Sequence, residues 1–249
     1  MRGFILAAIS LILTIASISL VTFALFIRTE DNNTSKVQAG ELDIELYIQT
    51  VNGTEIDNDS ASASYGKLVA MNPVDYTNGG ASDGLLLNTL TDSVFDVVEA
   101  VPTQQQTATF MIKNKGTIAA TFEIQVSDLA LNPDNLTHDR IDVDTASEHL
   151  SEQILITMVY VDENGTGIKD ENGVIIQNSF ILSASGATPV PSLVIPTVKL
   201  GEDIYFTISW EFLDDRNNNA ENGYTFVNND AQKGAVRFDL TVIATQDTQ

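Results

Sequence analysis

The chain has 249 residues, no cysteine, and 12 Lys plus Arg against 34 Asp plus Glu, which gives a formal net charge of −22. This charge repels phosphate backbones and anionic lipid headgroups, so nucleic acid is excluded as a natural partner. The lack of cysteine excludes disulfides, thiolate nucleophiles and cysteine metal sites, so the fold must be held together by its core alone.

The N-terminal segment is long and uncharged. Residues 3–27 carry no charged side chain, and Arg2 and Arg28 bracket this stretch. Its length is sufficient for a membrane-spanning helix, which needs about 20 apolar residues. A transmembrane anchor is therefore one interpretation of the segment, and a secretory signal is the other.

A signal-peptidase site favours the secretory signal. Thr22-Phe23-Ala24 has small residues at the two positions that the peptidase reads before the bond it cuts. We predict a signal peptide over residues 1–24, cleaved between Ala24 and Leu25, with an uncleaved membrane anchor as the alternative. Both place the rest of the protein outside the cytoplasm, either secreted or at the cell surface, where only an uncleaved leader would contact the membrane.

Residues 38–249 have the pattern of one β-sandwich domain. Apolar and polar residues alternate with the period of two that a strand with one buried face requires. The alternation occurs in "VQAGELDIEL", "TATFMIKN", "ATFEIQVSDL", "ILITMVYV", "GVIIQNSFIL", "DIYFTISWEF" and "GAVRFDLTVIATQ". No segment of comparable length has a helical period, so the predicted fold class is all-β, with short helices and long loops.

Two of these strands predict the core. The first has a continuous apolar face, formed by Ile204, Phe206, Ile208, Trp210 and Phe212. The second has another, formed by Val236, Phe238, Leu240 and Val242. We expect the Trp210 face to pack against Phe238 and Leu240, because only that arrangement buries both sets at once.

Turn and helix signals separate the strands. Residues 114–117 predict a tight hairpin turn between two neighbouring strands, and residues 162–167 predict a second turn. Residues 145–148 have a capping-box pattern, which predicts a short helix from there to about Glu152. The polar stretches 52–84 and 214–230 predict long irregular excursions, which in compact domains are usually functional or disordered.

Several motifs occur in a distinctive order. An uncharged leader ends in Thr-Phe-Ala before Leu-Phe, and a short polar spacer leads to "VQAGELDIEL". "FMIKNKGTIAATFEIQV" follows as a strand, turn and strand, and "LGEDIYFTISWEF" and "GAVRFDLTVIATQ" come last. This order resembles that of the TasA/camelysin family of secreted, fibre-forming proteins of the biofilm matrix.

The resemblance implies a jelly-roll-like sandwich, export through a signal peptidase, and polymerisation into extracellular fibres. In such fibres the N-terminal segment of one subunit completes the sheet of the next, so the implied partner is a second copy of the chain, joined head to tail. Residues 25–37 would be the donor segment, with Leu25, Phe26 and Ile27 as its strand. We expect Leu25 and Ile27 to face the acceptor groove and Phe26 to lie on the other side.

Two alternatives to strand donation are open. Residues 25–36 could be a leader remnant in a disordered tail, the usual state of short termini. The protein could also be a membrane-anchored extracellular binding module whose acidic loops bind Ca²⁺ or a carbohydrate. A mature terminus at Leu25 would favour the fibre subunit, and a full-length membrane-bound chain would favour the binding module.

The sequence predicts no enzymatic activity. Camelysin-type relatives are classed as metallopeptidases, but a zinc peptidase site typically has a His-Glu-x-x-His pattern, and the two histidines, His138 and His149, do not form one. The Gly-x-Ser-x-Gly elbow of many serine hydrolases is also missing from the sequence. Pairs of carboxylates exist among 34 acidic residues, but their abundance alone is weak support for a glycosidase.

Calcium is the one cofactor that the sequence suggests. The loop "DDRNNNAENG" supplies hard oxygen ligands from Asp214, Asp215, Asn217, Asn219 and Glu221. Residues 162–173 resemble the first nine positions of an EF-hand loop, but Gly173 stands where a bidentate Glu is needed. The competing interpretation is a solvated turn that uses Asn, Asp and Gly for their backbone geometry.

Six Asn-x-Ser/Thr sequons mark candidate glycosylation sites in predicted loops. They are Asn32, Asn33, Asn52, Asn58, Asn135 and Asn164. In a chain this rich in asparagine, some such matches also arise by chance.

Overall fold

A computed structural model describes residues 27–30, 43–57, 59–65, 67–77, 83–87, 95–98, 100–116, 118–139, 141–187, 189–199, 201–214, 231 and 233–246. Over these ranges the chain forms two antiparallel sheets that enclose a shared hydrophobic core. The predicted all-β sandwich is therefore confirmed.

The described strands lie in chain order as β1 (Ile27–Glu30), β2 (Ile44–Ile56), β3 (Leu68–Ala70), β4 (Val74–Asp75), β5 (Leu85–Leu86), β6 (Phe95–Val98), β7 (Gln105–Asn114), β8 (Ala120–Leu131), β9 (Ile154–Val161), β10 (Gln177–Ile181), β11 (Ser192–Val198), β12 (Asp203–Phe212) and β13 (Ala235–Gln246). A helix, α1 (Val143–Gln153), lies between β8 and β9, and a short 3-10 helix (Leu182–Gly186) follows β10.

Strand order divides the described part of the chain into a five-stranded and an eight-stranded sheet. The first sheet has the order β1-β13-β8-β11, and β6 also pairs with β13. The second has the order β10-β9-β12-β7-β2-β3, and β4 and β5 also pair with β2. From β7 onward the chain changes sheet at every step except from β9 to β10, as chains often do in jelly rolls.

The core lies between the two sheets. In β12 every second residue from Ile204 to Phe212 is buried, and in β13 the even-numbered residues 236–244 are buried. Trp210 belongs to the same core as Phe238 and Leu240, which confirms the predicted facing of β12 and β13. The alternating pattern thus reported the buried face correctly on both sides of the sandwich.

Phenylalanine rings connect the two sheets through this core. Phe95 and Phe238 lie opposite each other in the first sheet with ring centroids 4.8 Å apart. Phe110 and Phe206 do the same in the second sheet at 5.1 Å. The Phe95 and Phe110 rings meet across the interface at 6.1 Å. Ring pairs of this kind add about 0.5–1.5 kcal/mol beyond the burial of their area.

The predicted hairpin at residues 114–117 is wrong. β7 and β8, which flank it, belong to opposite sheets, so this connection crosses the sandwich. Asn114 is buried and holds the turn, because its Nδ2 donates to the carbonyl of Ile118 at 2.8 Å and its Oδ1 accepts from the amide of Gly116 at 3.1 Å. The amide of Gly116 also donates to the carbonyl of Asp43. The turn chemistry was identified correctly, but the pairing of its strands was not.

The helix exists but begins earlier than predicted. Asp142 is its N-cap, and the side chain of Asp142 accepts from the amide and the hydroxyl of Thr145. Thr145, the predicted cap, therefore lies inside the first turn. Within the part of the chain that the structure describes, no helix is long and apolar enough to cross a membrane.

Two further predictions about loops need correction. The predicted excursion over residues 52–84 contains the end of β2 together with β3 and β4, so it is partly regular. The segment after β9 contains two successive turns, at residues 162–166 and 170–174, before β10 returns to pair with β9. The predicted strand "GVIIQNSFIL" is correspondingly shorter, because β10 spans Gln177–Ile181.

Candidate assembly edge and loop sites

The last strand, β13, pairs with one long strand along one edge and with two short strands along the other. β8 pairs with β13 from Val236 to Gln246. On the opposite edge, termed the outer edge, β6 pairs with residues 235–238 and β1 pairs with residues 242–245. The N-terminal strand is therefore an edge strand of the five-stranded sheet, and it occupies the second half of the outer edge.

The register of this pairing is antiparallel. The pairs are Ile27 with Thr245, Arg28 with Ala244, Thr29 with Ile243 and Glu30 with Val242. The predicted donor residue Ile27 thus forms a strand with its own chain. Its partner Thr245 is exposed. Ala24, Leu25 and Phe26, the predicted cleavage site and the rest of the donor strand, lie outside the described residues.

The outer edge borders the apolar core. Phe238, Leu240, Val242 and Ala244 of β13 are all buried, and all belong to the main core cluster. A strand on this edge extends a sheet whose inner face is already packed. A strand that is added here therefore gains main-chain hydrogen bonds and contact with an apolar surface.

β6 is fixed firmly on the first half of the outer edge. Its Phe95 ring stacks on Phe238, and its Asp96 accepts a hydrogen bond from Arg237 Nη2 at 2.8 Å. Asp134 lies 3.3 Å from the same guanidinium nitrogen. The bond with Asp96 is the main cause that raises the pKa of Arg237 above its ordinary value. Because β6 is held by both the core and an ion pair, it defines where a strand in the second half must end.

The edge formed by β11 carries features that discourage strand addition. β11 contains Pro196, which has no N–H to donate, and its pairing with β8 is irregular between Ile195 and Val198. The outer edge of β2 is covered by the short strands β3, β4 and β5. The proline and the irregular register of β11 are typical protection of an edge strand.

A polar network that we did not predict lies on the outer face of the eight-stranded sheet. Tyr47 donates to Glu45 at 2.5 Å, and Lys115 forms an ion pair with the same carboxylate. Lys113, opposite Glu45 in the register, pairs with Asp83. Burial and then the bond to Glu45 raise the pKa of Tyr47 to about 12, and the ion pairs raise the pKa of both lysines. The alternating sequence pattern assigns Glu45 and Tyr47 to the polar face, but it does not indicate which side chains of other strands contact them.

The structure describes only one of the five predicted calcium ligands. Asp214 is buried, with 3% of its surface exposed. Asp215, Asn217, Asn219 and Glu221 lie outside the described residues. Among the residues that are described, no group of three or more His, Asp or Glu side chains is arranged to hold a metal ion.

The EF-hand-like segment forms two similar turns. Asp162 Oδ1 accepts from the amides of Asn164 and Thr166, at 2.9 and 2.8 Å. Asp170 Oδ1 accepts from the amides of Asn172 and Val174 at the same two distances. The glycine of each Asp-Glu-Asn-Gly sequence has a φ of about 80°, which favours glycine. One carboxylate oxygen each of Asp162 and Asp170 is thus used to hold the turns.

The structure describes both histidines and three of the six sequons. His138 is exposed and His149 is partly buried, and His149 Nδ1 lies 3.4 Å from a carboxylate oxygen of Glu152. Among the sequons, those at Asn52, Asn135 and Asn164 are exposed, as glycosylation requires. The sequons at Asn32, Asn33 and Asn58 fall outside the described residues.

A surface cavity of about 370 Å³ lies at the start of α1. Its polar lining residues include Asn132, Asp142 and Asp144. Asp142 caps the helix, and Asp144 accepts a hydrogen bond of 2.7 Å from the Asn132 side chain. These groups stabilise the loop before the helix, and their bonds account for the polar character of the cavity.

The chain matches no model of a known protein family, and no curated protein is significantly similar to it. The resemblance to the TasA/camelysin family therefore stays a prediction from its motifs.

Proposed function

We propose that the protein is the structural subunit of an extracellular fibre of a biofilm matrix, assembled head to tail by donation of its N-terminal strand. The pairing of Ile27–Glu30 with the outer edge of β13 carries this proposal. Strand donation has two requirements: the N-terminal segment must be able to form a strand, and the sandwich must have an edge that accepts it. The pairing of β1 with β13 is support for both. In the fibre, the same edge would receive the segment of a neighbouring subunit.

The unequal protection of the edges supports a specific junction. Pro196 and the irregular register of β11 discourage pairing at one end of the five-stranded sheet. At the other end, the outer edge of β13 already accepts β6 and β1. A donated strand would therefore be directed to one edge, and a contact between unlike surfaces of identical subunits builds an open filament.

The length of the connection also supports exchange between subunits. Residues 31–43 join β1 to β2. An extended chain of thirteen residues spans up to about 45 Å. A compact domain of about 200 residues has a radius of gyration of roughly 16 Å, so a connection of this length can reach the edge of an adjacent subunit.

Truncation tests this function directly. We would produce the chain that starts at Leu25 and a shortened chain that starts at Gln38, and image both by electron microscopy at the same protein and salt concentrations. The first should form fibres and the second should stay monomeric but folded, with an unchanged circular dichroism spectrum. The shortened chain should also bind an added peptide of residues 25–37.

Two outcomes would contradict the proposal. Fibres from the shortened chain that are as abundant as those from the longer chain would exclude donation by this segment. A natural protein that is recovered only at full length in the membrane fraction, as measured by mass spectrometry, would favour the membrane-anchored binding module instead.

A further inference from the structure

One side of the sandwich is built from an uncharged stretch of the chain. Residues 172–198 carry no charged side chain, although the net charge of the chain is −22. They include β10 and β11, the end strands of the eight-stranded and the five-stranded sheet. The two strands are neighbours, since Asn178 Nδ2 in β10 donates to the carbonyl of Ser192 in β11 at 2.8 Å. We term this surface the β10–β11 side.

The β10–β11 side also carries exposed apolar side chains. Eight large apolar side chains are exposed in the part of the chain that the structure describes, and four of them belong to this stretch: Val174, Ile175, Val190 and Val194. Exposed apolar groups without charge favour contact with another protein surface. Two copies that meet through β10 and β11 bring no charged side chain of either strand into contact, so their repulsion is lowest there.

β10 is an edge strand with a regular register. It pairs with β9 over residues 177–181 without a bulge, and among the described residues it has no strand on its other side. It contains neither a proline nor an irregularity of the kind that marks β11. An edge without proline, bulge or charge is a template for another strand.

The free side of β10 presents a defined set of backbone groups. The amide of Tyr160 in β9 donates to the carbonyl of Ile176, just before β10. Bonded and non-bonded positions alternate along an antiparallel pair, so Gln177 and Ser179 direct their N–H and C=O groups away from β9. The N–H of Ile181 points the same way.

We propose that two copies of the chain associate by pairing their β10 strands antiparallel, about a two-fold axis that passes through Ser179. In this register Ser179 exchanges two main-chain bonds with its own copy, and the carbonyl of Gln177 accepts from the amide of Ile181. A two-fold contact places residues near the axis beside their own copies, where a charged side chain would meet a like charge. The uncharged sequence of β10 meets that requirement.

The contact between two single subunits is weak. β10 has five residues, whereas stable specific interfaces bury about 1,200–2,000 Å². Subunits in dilute solution are therefore mostly monomeric. The contact uses a different edge from strand donation at β13, so this inference does not depend on the proposed function. In filaments, many such contacts would act together and hold two filaments side by side.

Single cysteines in the cysteine-free chain test both the contact and its register. The chain that starts at Leu25 would carry Ser179→Cys, Gln177→Cys or Ala63→Cys, each at an exposed position. Opposed Cα atoms of a bonded pair lie about 5.5 Å apart, within the limit of about 7 Å for a disulfide. In the proposed register Gln177 lies about 13 Å from its own copy. Ala63 lies in the turn before β3, at the other end of the same sheet.

Covalent dimers would be counted on denaturing gels after oxidation, in monomeric and fibrous samples alike. We expect Ser179→Cys to crosslink at least about tenfold faster than either control, because it alone is held within disulfide reach of its copy. Equal rates at the three positions would overturn the inference, as they would if the N-terminal segment of another copy occupied β10. Failure to form fibres would count against the proposed function alone.

A change of charge provides a second measurement that needs no crosslink. Hydrogen exchange of the Ser179 amide should slow as the protein concentration rises, because pairing protects it. Ser179→Glu places a carboxylate beside its own copy and should abolish this dependence at residues 177–181. Ala63→Glu adds the same charge away from the contact and should retain it. A dependence that is missing from the unsubstituted chain, or that survives Ser179→Glu, would overturn the inference.

Discussion

Phe238 belongs to the hydrophobic core, contacts another phenylalanine ring and lies on the part of β13 that pairs with β6. Its ring stacks on Phe95, and it lies at the last position that β6 covers. Replacing it by alanine should leave a cavity that neighbouring strands cannot close. We expect Phe238→Ala to lower the free energy of unfolding by about 3–5 kcal/mol, measured by urea denaturation.

The control for this substitution is Val194→Ala in β11. Val194 is apolar but about half exposed, so its replacement should cost no more than about 0.5 kcal/mol. A loss of less than about 1 kcal/mol for Phe238→Ala would mean that the facing of β13 is wrong, since fully buried aromatic residues cost more than that.

The raised pKa of Tyr47 predicts that the stability of the fold depends on pH in the alkaline range. Burial and the bond to Glu45 raise the pKa of Tyr47 from 10.0 to about 12. Below pH 10 both states keep the proton, and the full contribution to stability is present. Between pH 10 and 12 the unfolded chain releases the proton while the folded chain keeps it, so this contribution falls as the pH rises.

Urea denaturation across this pH range measures the effect. Tyr47→Phe should reduce the fall in stability, because the substituted side chain does not titrate. Tyr65→Phe is the control at an exposed position and should leave the profile unchanged. Identical profiles for the Tyr47 variant and the natural chain would show that this hydroxyl does not contribute.

At the level of residues, the sequence predicts which side chains of a strand are buried, but it does not predict which side chains of other strands lie beside them. The alternation in β12 and β13 reports which side chains face the core, since that depends on the local period of two. The network of Tyr47 and Lys113 depends on the pairing of β2 with β7, which are separated by a long stretch of sequence. Local patterns carry no signal for a register of that kind.

At the level of elements, the connection between β7 and β8 also has a local structure that the sequence predicts and a strand pairing that it does not. The residues after β7 form a turn, but its strands enter different sheets. Turn residues determine the local backbone, whereas the sheet that each strand joins is decided by packing over the whole sandwich. For the same reason the pairing of the outer edge of β13 could be found only from the order of the strands.

Substitution of Asn114 tests whether its buried side chain holds this connection in place. Its buried amide bonds to the carbonyl of Ile118 and the amide of Gly116. Asn114→Ala should lower the free energy of unfolding by about 1–3 kcal/mol, because it leaves buried backbone groups without these bonds. Differential scanning calorimetry would show a corresponding fall in melting temperature.

Asn172→Ala is the matched control for Asn114, since Asn172 belongs to the exposed turn at residues 170–174. Among the described residues its side chain bonds only to Asp170, at a long distance of 3.5 Å. We expect a change within about 0.5 kcal/mol. Equal effects at the two positions would mean that the crossing turn is not held by its buried amide.

At the scale of the whole molecule, the charge of −22 opposes contact between copies. The screening length falls from about 30 Å at 0.01 M salt to about 8 Å at 0.15 M. Fibre formation by the chain that starts at Leu25 should therefore be faster at the higher salt concentration, as measured by light scattering. A rate that does not depend on salt would show that charge repulsion does not limit assembly.

Divalent cations extend this test to the acidic loop. At matched ionic strength, Ca²⁺ and Mg²⁺ should have equal effects if they act by screening alone. A melting temperature that rises with Ca²⁺ but much less with Mg²⁺ would instead indicate a site that binds Ca²⁺ in the folded state, with the 214–223 loop as its candidate.

The proposed function also has a consequence for the valence of the subunit. In that proposal each chain has one acceptor edge, on β13, and one N-terminal segment to give. In polymer terms such a subunit is bifunctional, so it grows into linear chains without branches. A chain that starts at Gln38 is then a monofunctional stopper. A small fraction of it, mixed with the longer chain, should end growth at one end and shorten every filament.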